Sequence, residues 1–303
     1  MAPEGEGGAG VSAGDLIGGI DVGGTKIEAR LFGGRDAAPL AVTRLPTPQT
    51  PDAVVAAILD RIGWLDAAAG AAIPVGLALP GVPDPASGTV FAANVALGST
   101  PLGPVLSDRA GRRVPILNDG TAFALSEARG GAGADVPVVL GLVLGTGLGG
   151  GVAIEGRRLP PHAGHGLEIG HAAIPATAAA RHRLPLRECP CGRIGCLERY
   201  VSGRALPWLC GHVTGSDTVS DAGLEAWADI LAEGLMPVLF ALDPGVVVLG
   251  GGLSELPGAT PRLERALARH RLGPAALPRL CLARFGATSG ARGAALAARD
   301  SAC

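Results

Sequence analysis

Two segments of the chain, about 120 residues apart, share one pattern: a buried strand, a Gly-rich turn and a second strand. The first segment, 16–32, contains the turn Asp21-Val-Gly-Gly-Thr-Lys26, and the second, 138–154, contains Gly145-Thr-Gly147. Apolar runs on both sides of such a turn predict a β-hairpin. Because the repeated hairpin indicates an internal duplication, we expect two related lobes that face each other, with a ligand-binding cleft between them.

The rest of the chain alternates between helix-like and strand-like segments. Apolar residues at helical spacing predict helices over 51–69, 121–129, 218–242 and 290–299. Short apolar runs that lead to Gly, Pro or Asn predict strands over 75–80, 114–117 and 246–249. This alternation is typical of an α/β fold.

Charge and composition restrict the partners of the chain. Its 303 residues include 25 basic and 27 acidic side chains, so it lacks the basic excess of a nucleic-acid-binding protein. The uncharged run 136–154 contains six glycines, which disfavour a helix and therefore a membrane span. Residues 1–15 are Gly-rich and acidic without an apolar signal pattern, so we expect a disordered tail on a cytoplasmic protein.

The first Gly-rich turn has the composition of a phosphate site. Bare backbone N–H groups at Gly23 and Gly24 can approach an anion, Thr25 adds a hydroxyl and Lys26 adds a positive charge. A single turn of this kind most often only reverses the chain. The second turn, 145–147, favours the functional interpretation, because two facing turns can hold a polyphosphate between lobes.

Asn118 and Asp119 follow a predicted buried strand, where α/β proteins often place catalytic side chains. A carboxylate at this position can take the proton from a substrate hydroxyl that attacks a phosphoryl group. The same pair is equally suited to begin the following helix as an N-cap. The local sequence leaves both interpretations open.

A group of three cysteines and an upstream histidine predicts a metal site. Three thiolates and one imidazole complete a closed tetrahedral zinc site, which is structural rather than catalytic. Glu168 and Glu198 flank this group as candidate acceptors for the hydroxyls of a polar substrate, or as ordinary surface carboxylates. The predicted ligands are His171, Cys189, Cys191 and Cys196, whereas Cys210, Cys281 and Cys303 have no partner by spacing.

Taken in order, these motifs resemble the ROK family (repressor, open reading frame, kinase), over about 17–299 of the chain. The resemblance implies the two-lobed actin/hexokinase-like, ribonuclease H-like ATPase fold. It rests on Asp21 to Lys26, Leu79-Pro-Gly81, Asn118-Asp119, Gly145 to Gly151, Glu168-Ile-Gly-His171, Cys189 to Glu198, Gly250 to Gly252 and Gly290 to Ala295. We expect an N-terminal lobe over 16–125, a C-terminal lobe over 126–287 with its zinc-binding loop at 171–196, and a C-terminal helix over 288–303 that packs back on the first lobe.

The resemblance also implies a role for each matching residue. Asp119 is the general base on the 6-hydroxyl of a sugar, and Asp21 helps to position Mg²⁺. The sugar contacts are Gly81, Asn94, Asn118, Asp119, Glu168, His171 and Glu198. The ATP contacts are Gly23, Gly24, Thr25, Lys26, Gly145, Thr146, Gly147, Gly250 and Gly251.

Within the family the likeness is greatest to the bacterial branch that phosphorylates N-acetyl-D-glucosamine, and a homodimer is expected. Leu167 and Gly120 depart from the residues that are usual there, glycine and alanine, so a glucokinase or fructokinase specificity stays open. A sugar-responsive regulator is a further alternative, but the segment before the first strand lacks the helical, basic pattern of a DNA-binding module.

Overall fold

The computed structural model describes residues 13–34, 36–84, 86–92, 94–159 and 166–302. Most of the predicted tail, 1–12, and Cys303 therefore lie outside the described residues. Within the described ranges, no helix combines the length and the apolar character that crossing a membrane requires.

The N-terminal half of the chain forms a five-stranded sheet in the order β3-β2-β1-β4-β7. Strand β1 pairs antiparallel with β2 and parallel with β4, so the predicted hairpin lies in the middle of the sheet. The strands are β1 (Ile17–Val22), β2 (Lys26–Gly33), β3 (Ala38–Pro46), β4 (Val75–Leu79) and β7 (Ile116–Asn118), and a separate two-stranded ribbon contains β5 (Val82–Pro83) and β6 (Val90–Phe91).

The C-terminal half repeats this topology in a second sheet with the order β10-β9-β8-β11-β12. The second hairpin again occupies the middle, because β8 pairs antiparallel with β9 and parallel with β11. The shared order and directions confirm two related lobes. The strands are β8 (Val138–Leu144), β9 (Leu148–Ile154), β10 (Arg157–Arg158), β11 (Val246–Gly250) and β12 (Arg279–Leu282).

Nine α-helices cover the sheets within the described residues. Helix α1 follows the sequence signals closely, since a proline occupies its first turn, its buried residues recur at helical spacing and Gly70 ends it with a φ of 73°. The helices are α1 (Pro51–Ala69), α2 (Leu102–Ala110), α3 (Asp119–Ala128), α4 (Ala176–Arg181), α5 (Glu198–Val201), α6 (Leu206–Thr214), α7 (Asp221–Leu242), α8 (Ala259–His270) and α9 (Ser289–Ala302).

Two helices, α3 and α9, pack against each other between the sheets. Helix α9 lies on β1 and β4, whereas α3 lies on β8 and β9. Glycine allows α9 to approach both β1 and α3. A Cβ at Gly19 of β1 would lie 1.8 Å from the Ala291 carbonyl oxygen of α9, and a Cβ at Gly293 of α9 would lie 1.8 Å from the Ala122 carbonyl oxygen of α3. The C-terminal helix therefore returns to the first sheet and joins it to the second through α3.

Buried polar side chains fasten this junction. The Glu127 carboxylate accepts hydrogen bonds from the backbone N–H groups of Ala132, Arg284 and Phe285 and from the Ser289 hydroxyl, at 2.8 to 3.1 Å. Arg292 is 2% exposed and donates to the carbonyl oxygens of residues 126 and 36. Apart from the Glu127–Ala132 bond, these contacts join segments far apart in sequence, so the junction depends on the completed fold.

Candidate active site and metal centre

A cleft of about 780 Å³ opens where the two lobes meet. Every predicted sugar contact lines it, together with the second Gly-rich turn. Those residues are Gly81, Asn94, Asn118, Asp119, Glu168, His171 and Glu198, with Gly145, Thr146 and Gly147. The first Gly-rich turn and Gly250-Gly251 are not among the residues that line this cleft. Gly24 and Gly251 pack against residues that do, since a Cβ at Gly24 would lie 2.8 Å from the Asn94 carbonyl oxygen and one at Gly251 would lie 2.9 Å from the Gly145 backbone nitrogen.

Asn118 is the N-cap of α3, and it also lines the cleft. Its side-chain oxygen accepts a hydrogen bond from the Thr121 backbone N–H at 3.2 Å and so caps α3. Its amide nitrogen donates to the Gly81 carbonyl oxygen at 3.0 Å and to the Glu168 carboxylate at 3.5 Å. The cap of one helix thus ties together segments from both lobes inside the cleft.

Asp119 occupies the first position of α3, where its Oδ1 accepts the Gly120 backbone N–H at 2.8 Å. Burial raises the pKa of this carboxyl, opposed by the backbone hydrogen bonds. Gly120 departs from the usual alanine for a physical reason in this chain, since a Cβ there would lie 2.2 Å from the Gly150 carbonyl oxygen. The close approach of α3 to β9 holds the Asp119 backbone against the cleft.

A second carboxyl, Asp21 on β1, lies beside Asp119. Its pKa is raised to about 7, chiefly by burial and also by the negative charges of Asp119 and Glu28, while Lys26 and Arg30 act in the opposite direction. Two neighbouring, poorly solvated carboxylates form a place where a divalent cation would relieve both burial and repulsion. This donor set fits the predicted role of Asp21 in positioning Mg²⁺.

The first Gly-rich turn is ordered by backbone contacts, with Gly23 N–H on the Lys26 carbonyl oxygen at 2.9 Å. From the sequence we expect Lys26 to add a positive charge at this turn. Its Nζ instead pairs with Glu28 at 3.1 Å, and Glu28 also accepts from Arg30 and Arg44 at 2.5 Å each. Three cations, Lys26 next to the turn, Arg30 on β2 and Arg44 on β3, therefore surround one buried carboxylate, which balances part of the positive charge of Lys26.

The second turn is held from two sides. Gly203 donates its backbone N–H to the Gly145 carbonyl oxygen at 2.8 Å, and Gly251, with a φ of 84°, packs so closely that a Cβ would lie 2.5 Å from the Leu144 carbonyl. A Cβ at Gly147 would lie 3.2 Å from the Glu198 carboxylate. Gly147, which has no side chain, therefore lies next to Glu198, one of the predicted sugar contacts. Gly251 packs against the start of the same turn.

The four predicted metal ligands come together in the C-terminal lobe. Their ligand atoms all lie within 4.8 Å of one another. His171 Nδ1 is 3.7 Å from Cys189 Sγ, and Cys191 Sγ is 3.6 Å from Cys196 Sγ. Two thiolates bound about 2.3 Å from a tetrahedral centre would be separated by roughly 3.8 Å, so the donor set and the spacing fit Zn²⁺.

The metal site and the sugar contacts share residues and backbone. His171 and Cys191 both line the cleft, and Glu198 accepts the Cys189 thiol at 3.4 Å. The segment after His171 is joined to the cysteine loop by hydrogen bonds from Ile174 and Leu197 at 2.7 and 2.8 Å. A bound zinc ion would therefore fix the positions of His171 and Glu198.

Sequence reasoning overlooked three side chains of the site. Glu28 is buried between Lys26 and Arg30 of its own strand and Arg44 of the paired strand β3. Arg193 of the cysteine loop lines the cleft, and Phe91 lines it while 71% exposed. The sequence contains a signal for Arg193, because this residue lies between the predicted metal ligands Cys191 and Cys196 and must therefore be near the metal site. For Phe91 the signal was its position in the sequence, three residues before the predicted sugar contact Asn94.

A second group of possible metal ligands, Asp229, Glu233 and His270, lies outside the cleft. Burial opposes ionisation of Asp229, but hydrogen bonds from His182, His270 and Arg181 lower its pKa. Arginine side chains already neutralise this carboxylate, so the group is an ion-pair network that joins α4, α7 and α8.

Comparison with known proteins decides the family. The model of the ROK family matches residues 17–301. The chain belongs to the ROK family. This membership and the repeated sheets confirm the predicted resemblance and the two-lobed, hexokinase-like fold.

Relatives of this ROK protein match it along nearly its whole length. The N-acetyl-D-glucosamine kinase of Escherichia coli O6:H1 is 39% identical over 296 residues, which cover 91% of this chain and 97% of the relative. A ROK hexokinase from Thermus thermophilus superposes with a TM-score of 0.82 at 31% identity and covers 95% of this chain and 99% of its own. A ROK glucokinase from Streptomyces griseus, solved with glucose and AMPPNP, gives 0.75 at 28% identity over 94% and 99%.

Proposed function

We propose that the protein is an ATP-dependent sugar kinase that phosphorylates the 6-hydroxyl of N-acetyl-D-glucosamine. The observation that carries the proposal is the position of Asp119, a buried carboxyl that lines one cleft together with the predicted sugar contacts and the second Gly-rich turn. The kinase from Escherichia coli, 39% identical, supports the choice of sugar.

In the proposed reaction, Asp119 accepts the proton of the sugar 6-hydroxyl as that oxygen attacks the γ-phosphorus of ATP. The new O–P bond forms as the bond to the β-phosphate bridging oxygen breaks, and ADP leaves. Burial raises the pKa of Asp119, which makes it a stronger base than an exposed aspartate. Magnesium, positioned with the help of Asp21, would supply charge neutralisation at the phosphates.

The remaining groups orient the substrates. Glu168 and Glu198 present acceptors to sugar hydroxyls, and Asn118 orients Glu168 through its amide N–H. The backbone at 145–147 would receive phosphate oxygens. His171 faces the cysteines through Nδ1, which leaves its other ring nitrogen for the sugar. Zinc held by His171, Cys189, Cys191 and Cys196 would keep this wall rigid and take no part in the chemistry.

The proposal is tested by ADP release with Mg-ATP on N-acetylglucosamine, glucose, fructose, mannose and N-acetylmannosamine. We expect the highest kcat/KM with N-acetylglucosamine. Asp119→Asn should lower kcat by at least about a hundredfold while sugar binding persists, whereas Asp135→Asn, an exposed control, should match the wild type. A preference for an unmodified hexose would reassign the substrate, and an active Asp119→Asn enzyme would refute the base.

We further propose that the enzyme acts in the cytoplasm as a homodimer, with lobes over 16–125 and 126–287 and the helix over 288–303 returned to the first. The three clustered thiols support a reducing compartment, and the packing of α9 on β1 supports the lobe assignment. Light scattering after size exclusion tests the dimer, because a monomer mass at micromolar concentration would contradict it.

A further inference from the structure

A second cavity, of about 710 Å³, lies next to the sugar cleft. Its walls are mostly apolar and come from both lobes, including Val114, Ile116, Leu159 and Val238. None of the predicted sugar or phosphate contacts except Asn118 lines it. The proposed reaction therefore leaves this cavity without a role.

Only two side chains among the described residues line both the cleft and the cavity, namely Asn118 and Leu167. The Asn118 side chain is fixed by its hydrogen bonds to Thr121, Gly81 and Glu168, so it forms an immobile part of the wall. Leu167 makes no such bonds. It forms the apolar part of the wall and packs against the core of the C-terminal lobe beside Gly150.

Leu167 also directly precedes Glu168, a predicted contact of the sugar. A substituent on a sugar held by Asn118 and Glu168 therefore has this isobutyl side chain as a near neighbour. With glycine at position 167, the wall would lose its apolar half and the cleft would open into the cavity. A larger side chain at position 167 thus leaves less room for a substituent on this side of the cleft.

We propose that Leu167 is a specificity-determining residue that limits the length of the N-acyl group on the amino sugar, by closing the cleft toward the apolar cavity. The inference rests on the proposed function, since it takes an N-acylated glucosamine as substrate. An acetyl group ends before the wall, whereas longer acyl chains meet Leu167. Once the wall is removed, each added methylene would enter apolar surroundings and gain roughly fourfold in affinity, which corresponds to about 0.8 kcal/mol.

The experiment compares N-acetyl-, N-propanoyl-, N-butanoyl- and N-hexanoylglucosamine as substrates of the wild type and of Leu167→Gly. For the wild type we expect kcat/KM to fall at least tenfold from acetyl to butanoyl. For Leu167→Gly the butanoyl-to-acetyl ratio should rise at least tenfold above the wild-type ratio. Leu167→Ala, which retains a Cβ and so disturbs the backbone less, should give an intermediate ratio.

Two controls separate this effect from general damage. Leu159→Ala changes a residue that lines the cavity alone and is 46% exposed, so its acyl profile should equal that of the wild type. Calorimetric binding of each sugar without ATP should reproduce the kinetic ratios. An unchanged butanoyl-to-acetyl ratio in both Leu167 variants would overturn the inference and leave the proposed function intact, whereas a wild type that neither binds nor phosphorylates N-acetylglucosamine would overturn both.

Discussion

At the scale of single residues, the site depends on carboxyls whose ionisation is made difficult by their surroundings. Asp21 and Asp119 are both poorly solvated, and each has a pKa above its ordinary value. The folded protein therefore binds the proton of Asp21 more tightly than the unfolded chain, whose aspartates titrate near 3.8. By linkage, the stabilisation from this proton is complete below about pH 4 and is lost as the pH rises through about 7.

We accordingly predict that Asp21→Asn makes stability less dependent on pH. Without magnesium, the wild type should lose on the order of a few kcal/mol of unfolding free energy relative to the variant between pH 5 and pH 7.5. Urea denaturation of both proteins at the two pH values measures the difference, with Asp52→Asn, an exposed aspartate of α1, as the control. Parallel pH dependence in Asp21→Asn and the wild type would show that Asp21 titrates normally.

The role of a residue could be predicted from the sequence where that role depends only on the spacing of residues close together in the chain. The four metal ligands were found because three of them lie within eight residues and share one loop. Asn118 could not be assigned to one role, since its cap bond is local but its bonds to Gly81 and Glu168 form only when distant segments meet. The pairing of Lys26 with Glu28 was missed because the charge balance also involves Arg44 on the neighbouring strand.

At the scale of elements, the same distinction separates what patterns predict from what they miss. Helix α1 was predicted with the bounds that it has, because proline and glycine mark its ends. Strands β3 and β12 escaped prediction, since they lie at sheet edges and all of their residues are exposed or only partly buried. Helix α3 was predicted two residues short at its start, where the N-cap Asn118 and the proposed base Asp119 follow each other.

The cysteine loop is the element whose integrity the site most requires. It lacks the length for a core of its own, and two positive-φ glycines, Gly192 and Gly195, shape it around the thiols. Tyr200 anchors its beginning by donating to the Pro185 carbonyl oxygen at 2.8 Å and accepting from the Arg187 N–H at 3.0 Å. A metal ion would join this loop to His171, so removal of the ion should disturb the sugar contacts.

We therefore predict that Cys191→Ser loses zinc and sugar affinity together. Bound zinc should fall from one equivalent to nearly none, and the KM for the sugar should rise about ten- to a hundredfold, while the KM for ATP changes little. Metal analysis and steady-state kinetics measure both quantities, and chelation of the wild type should reproduce them. Cys281→Ser, outside the cluster, should keep its zinc. A zinc-free variant with normal sugar KM would contradict the scaffold role.

At the scale of the whole molecule, the two lobes are joined through α3 and α9. Asp119 begins α3, and Glu127 lies near the end of the same helix. The Glu127 carboxylate accepts one hydrogen bond from Ala132 and three from the segment 284–289. The proposed catalytic base and the interlobe junction thus lie on one short helix. Lobe closure, which would exclude water from phosphoryl transfer, has to occur without breaking this junction.

The last prediction concerns Glu127→Gln. Each Glu127 oxygen accepts two hydrogen bonds. An amide NH₂ in place of either oxygen would therefore point its N–H groups at other buried hydrogen-bond donors and accept nothing from them. We expect a loss of about 3–5 kcal/mol in unfolding free energy by urea denaturation. Glu255→Gln, at an exposed position, should stay within about 0.5 kcal/mol of the wild type. If Glu127→Gln were as stable as Glu255→Gln, the buried carboxylate would not fasten the two lobes. If Glu127→Gln were less stable but kept the wild-type kcat at low temperature, the junction would support the fold without controlling lobe closure.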